Sequence, residues 1–230
     1  MTVRVEDHDH GVRVALLDRP AKRNAIDTSV VEGIREALNT APGNMMVLGS
    51  TDRSAFSSGV DLGLGERDRA EVSDHLYSLY QAMRATPIVL LAAASGHAVG
   101  GGAQLLIACD IRIVDASASI RFMGPGHGLA VGAWGLPSLV GRGRAMDLCL
   151  SMRPVDATEA LQIGLVDRVV EEPLETAITY ATAISHLDQG AVAAVKKVVA
   201  ASDRGDGLRL ERDYNARWDG SVGDPALEGP

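Results

Sequence analysis

The residues best suited to chemistry form a glycine cluster, Gly100-Gly101-Gly102, between a predicted apolar strand at residues 88–94 and an apolar helix that ends near Ala108. A turn of this kind presents backbone N–H groups at a helix N-terminus, where negative charge is stabilised. The cluster therefore predicts half of a site for an oxyanion. The amide of Gln104, and not an acid, follows the cluster.

A second glycine turn, residues 57–62, follows another short apolar strand at residues 45–49. It offers the exposed N–H of Val60 beside Gly59. When a thioester becomes an enolate, or when water adds to an enoyl thioester, negative charge develops on one carbonyl oxygen. Two convergent backbone N–H groups stabilise that oxygen and lose no proton themselves. Two such turns, each after a short strand, are a stronger signal than one.

Composition and charge limit the classes of protein that fit. The chain has 230 residues, enough for one sizeable domain, and 46% of them are hydrophobic. Its net charge of −8 argues against general nucleic-acid binding but does not exclude an anionic small ligand. No signal-like or membrane-spanning run is present, and Cys109 and Cys149 lie in apolar segments. We expect a cytoplasmic protein without nucleic-acid or membrane partners.

The elements that must position the two turns alternate between strand and helix. Residues 3–6 and 12–16 predict a β-hairpin, and residues 27–39 predict a helix in which Ser29 and Glu32 have capping-box spacing. Further elements are a helix at 67–84, a strand at 111–114, helices at 144–151, 156–163, 174–186 and 191–201, and a strand-like run at 165–170. The pattern predicts an α/β core with a helical appendage, no convincing internal repeat, and a frayed tail at 219–230.

Several segments together resemble the crotonase (enoyl-CoA hydratase/isomerase) superfamily, in family order. They are residues 19–25, 55–62, 96–102 with 109–112, 139–141 and 157–166. The resemblance implies an α/β fold, a spiral of ββα repeats with a helical C-terminal oligomerisation region. Residues 1–140 would form the spiral core with the acyl-CoA site, and residues 141–230 the helical region of the same functional unit. It implies a homotrimer or hexamer.

The same resemblance assigns the site. The ligand would be an acyl-CoA thioester, with no other cofactor and no metal, and the oxyanion hole would be the N–H groups of Val60 and Gly101. Two loops would line the CoA site, through Lys22, Arg23, Ala25, Ile26, Ser57, Ser58, Asp61 and Leu62. Lys22 and Arg23 could attract the CoA phosphates or belong to a solvated loop. Asp61 could contact the ligand or cap its loop.

The sequence departs from the family at both catalytic positions. Gln104 and Gly126 stand where hydratases of the family carry glutamates, and adding water to an enoyl thioester needs a base and an acid. His127 lies beside the second position. It could replace the missing glutamate, because the intrinsic pKa of histidine suits proton transfer, or it could be a loop histidine that bonds to backbone. Trp134 either packs in the core or lines the acyl pocket. We expect a shortened loop after Trp134 and a shortened or missing last helix.

Three hypotheses of function are compatible with the sequence. The chain could be an acyl-CoA enzyme whose enolate chemistry, such as decarboxylation or a retro-Claisen step, needs few protein acids. It could be a catalytically silent acyl-CoA binder that keeps the hole and lacks acid and base. It could be an assembly subunit. Two intact glycine turns favour the first two hypotheses, and the missing glutamates disfavour classical hydration.

Overall fold

A computed structural model describes residues 2–202, 207–216 and 218–221. The strands are β1 Val3–His8, β2 Val12–Leu17, β3 Met45–Ser50, β4 Ala55–Ser57, β5 Val89–Ala94, β6 His97–Val99, β7 Ile111–Val114, β8 Ser119–Arg121, β9 Val155–Asp156 and β10 Arg168–Val169. The helices are α1 Thr28–Asn39, α2 Glu66–Ala85, α3 Gly101–Ala108, α4 Leu136–Val140, α5 Arg142–Ser151, α6 Ala157–Gln162, α7 Pro173–Ser185, α8 Gln189–Ser202 and α9 Gly207–Asn215.

The strands form two sheets that the chain visits in turn. The larger has the order β1-β2-β3-β5-β7-β10, and the smaller has the order β4-β6-β8-β9. In the larger sheet β1 pairs antiparallel with β2, which confirms the predicted hairpin, and the other pairs are parallel. Each pair β3–β4, β5–β6 and β7–β8 gives its first strand to the larger sheet and its second to the smaller one. Helices α2 and α3 follow the first two pairs, so the implied ββα spiral is confirmed.

Both faces of the larger sheet are buried over its central strands, which explains why β3 and β5 are almost entirely apolar. On one face, alternate residues such as Leu48 and Leu90 pack with α1, α2, α3 and the smaller sheet. On the other face, residues such as Val47 and Leu91 pack with α7. Helices α5, α6 and α7, which lie after residue 141, therefore share the core with the elements before it. No helix among the described residues is both long and apolar enough to cross a membrane.

The positions of the two glycine turns follow from the smaller sheet. Strands β4 and β6 are parallel neighbours, with Ala55 opposite His97. Because the carboxyl ends of parallel neighbours meet at one edge of a sheet, the turns that follow them lie side by side. Gly102 fits against β4 because it lacks a side chain: a Cβ there would lie 2.6 Å from the Ser57 carbonyl oxygen.

Three local expectations need correction. The cap of α1 is Asp27, whose side chain accepts from the Val30 N–H at 3.1 Å, and not Ser29. A helix, α9, is present near the C-terminus, so of the two alternatives, a shortened or a missing last helix, the missing one does not apply. Of the predicted frayed tail, residues 219–221 are ordered, since the Gly220 carbonyl oxygen accepts from Arg69 Nε at 2.7 Å. Residues 222–230 lie outside the described residues.

Candidate functional site

The two glycine turns border one cavity of about 190 Å³. The two turns contribute Ser58 to Val60 and Val99 to Gly101, and we call this part of the lining the backbone wall. The rest of the lining, which we call the side-chain wall, comes from Leu62, Ser73, Leu76, Tyr77, Gln104, Met123, His127, Leu129, Val131, Asn215 and Trp218. The cavity therefore joins bare amides to a largely apolar surface with a few polar groups.

The first turn directs the Val60 N–H away from the adjacent segment at Ile26. Ile26 N–H donates to the Gly59 carbonyl at 2.7 Å, and Asp61 N–H donates to the Ile26 carbonyl at 2.8 Å. In this parallel bridge the Gly59 carbonyl and the Asp61 N–H both point towards Ile26. The N–H of Val60, which alternates with them, faces the opposite side.

The second turn presents Gly101 at the start of α3. Gly101 is the first residue of that helix, where an N–H has no intrahelical acceptor. Gly100 before it has φ 54° and ψ −116°, a conformation that glycine adopts readily. A Cβ on Gly59 would lie 2.8 Å from the Val99 carbonyl oxygen and 3.4 Å from the Gly101 nitrogen. The two turns are thus in direct contact.

Short polar links fix the first turn. Ser57 Oγ accepts from the Gly59 N–H at 3.2 Å and donates to the Asn24 carbonyl at 2.8 Å. Asp61 accepts from the Gly63 N–H at 2.9 Å and forms an ion pair of 3.1 Å with Arg19. Partial burial opposes the ionisation of Asp61, but the bond from Gly63 and the charge of Arg19 lower its pKa. Asp61 caps its loop, which is one of the two roles that the sequence left open.

The residues expected at the CoA site divide into two groups. Ser57 and Asp61 are buried, as are Ala25, whose carbonyl accepts from Arg19, and Ile26, so these four support the turn. Lys22, Arg23 and Leu62 are exposed, and Ser58 is partly exposed. Of the eight residues, Ser58 and Leu62 line the cavity.

Gln104 is buried and its carbonyl oxygen is occupied. Oε1 accepts from Trp134 Nε1 at 2.8 Å and from the Gly132 N–H at 3.1 Å. Trp134 stacks on Tyr80 with ring centroids 6.0 Å apart, so it lies behind Gln104 and outside the cavity lining. The indole of Trp134 does not line this cavity, and its role in the acyl pocket stays a prediction.

The second expected acid position contributes no side chain. Gly126 directs its N–H to Met152 Sδ at 3.4 Å and does not line the cavity. Its neighbour His127 does line the cavity. Partial burial lowers the pKa of His127, so the neutral imidazole predominates at pH 7.

The sequence analysis missed a carboxyl group that α9 delivers to the same region. Glu211 is 4% exposed and accepts from Tyr77 Oη at 2.7 Å, from the Trp134 N–H at 2.8 Å and from the Gly132 N–H at 3.1 Å. Burial raises the pKa of Glu211 to about 7. The spacing of Glu211 and Asn215 places both on one face of α9, but nothing in the sequence links that face to Tyr77.

Comparisons with known proteins agree with this architecture. The model of the enoyl-CoA hydratase/isomerase family matches residues 7–223. The chain is 35% identical to "Probable enoyl-CoA hydratase echA6" of Mycobacterium tuberculosis over 188 residues, which is 80% of this chain and 76% of the relative. It is 34% identical to "Probable enoyl-CoA hydratase" of Rhodobacter capsulatus over 237 residues, covering 98% of this chain and 91% of the relative.

A solved structure extends the similarity to three dimensions. The enoyl-CoA hydratase from Bacillus anthracis superposes with a TM-score of 0.81 at 28% identity, covering 96% of this chain and 91% of that one. The family match spans nearly the whole chain, and the two-sheet spiral is shared with a member of known structure. The protein therefore belongs to the enoyl-CoA hydratase/isomerase family, within the crotonase superfamily.

Proposed function

We propose that this chain binds acyl-CoA thioesters, with the thioester oxygen between the N–H groups of Val60 and Gly101. The observation that carries the proposal is the contact of the two glycine turns at one cavity. Donors held by the fold need no reorganisation when charge develops on the oxygen. Family membership supports a CoA thioester as the ligand.

The surroundings of the two amides suit the rest of such a ligand. Apolar side chains, among them Met123, Leu129 and Val131, would contact the acyl chain. Exposed Lys22 and Arg23 lie on the loop beside Ser58, and they would attract the CoA phosphates. The thioester itself is the ligand in this proposal, which includes no metal or further cofactor.

The proposed chemistry is enolate chemistry other than classical hydration. Hydration needs an acid and a base near the thioester, whereas Gln104 is an amide bonded to Trp134 and Gly126 has no side chain. Decarboxylation or a retro-Claisen step generates the enolate without either glutamate. Neutral His127 lines the cavity and is one candidate group for a proton transfer in such a step.

A catalytically silent acyl-CoA binder is the second candidate function. The bonds that hold Gln104 favour it, because they use the carboxamide oxygen to join the core and not to orient a water molecule. A purely assembling subunit would not require two free amide donors. We propose a cytoplasmic homotrimer or hexamer in either case, a state in which exposed apolar side chains of α5 and α8 would be covered: Met146, Leu150, Val195, Val198 and Val199.

Two measurements on the purified protein test the proposal. Calorimetric titration with butyryl-CoA should give saturable binding, and titration with free CoA should give weaker binding. A spectrophotometric assay with crotonyl-CoA should give no hydration at enzymatic rates. Absence of acyl-CoA binding would contradict the proposal as a whole. Rapid hydration would contradict the claim that Gln104 and Gly126 disable that reaction.

A further inference from the structure

We propose that Tyr77 and Glu211 form a proton relay into the cavity. In this relay Tyr77 exchanges a proton with the carbon next to the thioester carbonyl, and Glu211 exchanges a proton with Tyr77. The proposal rests on the proposed function, because the thioester must be held at Val60 and Gly101 for that carbon to face Tyr77. It assigns proton transfer to groups other than the two lost glutamates.

Tyr77 lies between the cavity and the buried carboxyl group of Glu211. Tyr77 of α2 lines the cavity together with Val60 and Gly101, and its side chain is otherwise buried. Its Oη lies 2.7 Å from Glu211 Oε1, a distance typical of a strong O–H···O hydrogen bond. Glu211 itself lies behind the lining and is 4% exposed. Tyr77 is therefore the group through which Glu211 can reach a ligand.

Neighbouring groups hold the relay in place. Asn215 Nδ2 donates to Tyr77 Oη at 2.7 Å and to the Ala130 carbonyl at 2.8 Å, and it would stabilise the phenolic oxygen as its proton leaves. The Trp134 N–H and the Gly132 N–H donate to Glu211. These two hydrogen bonds orient the carboxyl group, and they lower its pKa against the larger, opposite effect of burial.

The proton transfers balance in both directions. In the forward direction the Cα–H bond of the ligand breaks and its proton passes to Tyr77 Oη. At the same time the Tyr77 O–H bond breaks and its proton passes to the Glu211 carboxylate. The electron pair left on Cα delocalises onto the thioester oxygen, which the two amides stabilise. The reverse steps return a proton from Tyr77 to the same carbon. Solvent deuterium reaches that carbon when the Tyr77 hydroxyl, which lines the cavity, exchanges its proton with solvent or with deuterated Glu211 while the enolate is bound.

The groups around Glu211 permit both protonation states near neutral pH. Titratable neighbours are Tyr77 and Tyr80 of α2 and Cys149 of α5, and burial raises the pKa of each, which keeps them neutral. Two cations belong to adjacent elements. Arg84 lies over the Trp134 ring at 5.1 Å, and Arg212 pairs with Asp74 at 2.9 Å. Among the described residues that line the cavity, His127 is the titratable group besides Tyr77.

Exchange of the α-hydrogens of butyryl-CoA in D₂O tests the relay without knowledge of the natural reaction. Mass spectrometry or proton NMR would follow deuterium incorporation with the wild type and with Tyr77→Phe, Glu211→Gln and His127→Ala. Arg212→Gln is the matched control, because it removes another link between α9 and α2 and leaves the relay intact. Calorimetry on every variant separates binding from exchange, and melting curves establish folding.

We expect Tyr77→Phe and Glu211→Gln to bind butyryl-CoA and to slow exchange by about 100-fold, the lower end of the range for general acid–base catalysis. Arg212→Gln should exchange at the wild-type rate, and His127→Ala should slow exchange less than either relay variant does. The wild-type rate should rise with pH to a plateau above pH 7, because the carboxylate is the accepting form, and Glu211→Gln should lose this dependence while Glu211→Asp keeps part of it.

Three results would overturn the relay. They are wild-type exchange that is absent although butyryl-CoA binds, wild-type rates in Tyr77→Phe or Glu211→Gln, and an unchanged pH profile in Glu211→Gln. A drop confined to His127→Ala would likewise assign the proton transfer to the imidazole. Failure of the wild type to bind butyryl-CoA would instead refute the proposed function, and the relay with it.

Discussion

The two walls of the cavity are built in different ways. The backbone wall, with Val60 and Gly101, comes from two turns that follow parallel neighbouring strands and touch at Gly59. The side-chain wall gathers Tyr77 from α2, Gln104 from α3 and Asn215 from α9. The first wall depends on local backbone conformation, and the second depends on side chains that are far apart in sequence.

Because of this difference, the groups proposed to bind the thioester oxygen and the groups proposed to react belong to different walls. The backbone wall supplies N–H groups whose identity does not depend on side chains, so it can persist while the reacting groups change. The side-chain wall carries an amide at Gln104, where a hydratase of the family has a glutamate, and a carboxyl group at Glu211 one layer behind. Under the proposed function, an acyl-thioester site is present in a chain that lacks the two glutamates expected of a hydratase.

The largest expected effect is on the backbone wall. Gly59→Ala would place a Cβ 2.8 Å from the Val99 carbonyl at a φ of 85°. Strain at this φ and the collision together should lower the free energy of unfolding by about 3–5 kcal/mol. Gly141→Ala, which has a φ of 79° and nothing within 4 Å, is the control for φ strain alone. Urea denaturation would compare the two, and equal losses would show that the turns are not in tight contact.

The next effect concerns the buried acid of the side-chain wall. Burial raises the pKa of Glu211 from 4.5 to about 7, so the folded state binds more protons than the unfolded state between these values. Glu211 therefore makes the protein less stable as pH rises from 4.5 to 7, by about 3 kcal/mol. Unfolding of wild type and Glu211→Gln should diverge over this range. Parallel pH curves would contradict the buried, protonated carboxyl.

A smaller effect is expected where Trp134 supports Gln104. Trp134→Phe keeps an aromatic ring beside Tyr80 but removes the bond from Nε1 to Gln104 Oε1. The free energy of unfolding should fall by about 1–2 kcal/mol, because a buried acceptor loses one of its donors. Thermal unfolding measures the loss. If stability fell while acyl-CoA affinity held, the side-chain wall would be separable from binding; a proportionate loss of affinity would argue against the separation.

The smallest effect should come from the surface link between α9 and α2. Arg212→Gln removes an ion pair with Asp74 in which both side chains are 40% or more exposed. Solvent screens such pairs, so the expected change in stability is under about 1 kcal/mol and should shrink further in high salt. Denaturation at two salt concentrations provides the check. A larger and salt-independent loss would mean that α9 is held mainly by this pair and not by Glu211.

The backbone wall could be predicted from the sequence, and most of the side-chain wall could not. Gly59 and Gly101 follow short apolar strands, and that local pattern is enough to place an exposed N–H after each. The ββα repeat escaped detection because β4, β6 and β8 have only three residues each. Glu211 and Tyr77 are brought together by the packing of α9 on α2, and neither helix carries a local signal for that contact.

The most direct test of the account compares butyryl-CoA with its thioether analogue, in which a CH₂ group replaces the carbonyl. Only the thioester offers an oxygen to Val60 and Gly101. Calorimetry should give about tenfold tighter binding of the thioester to the wild type, as two modest hydrogen bonds would produce. Gly59→Ala should abolish the preference, and Gly141→Ala should keep it. Equal affinities of the wild type for both ligands would contradict the claim that these turns hold a thioester oxygen.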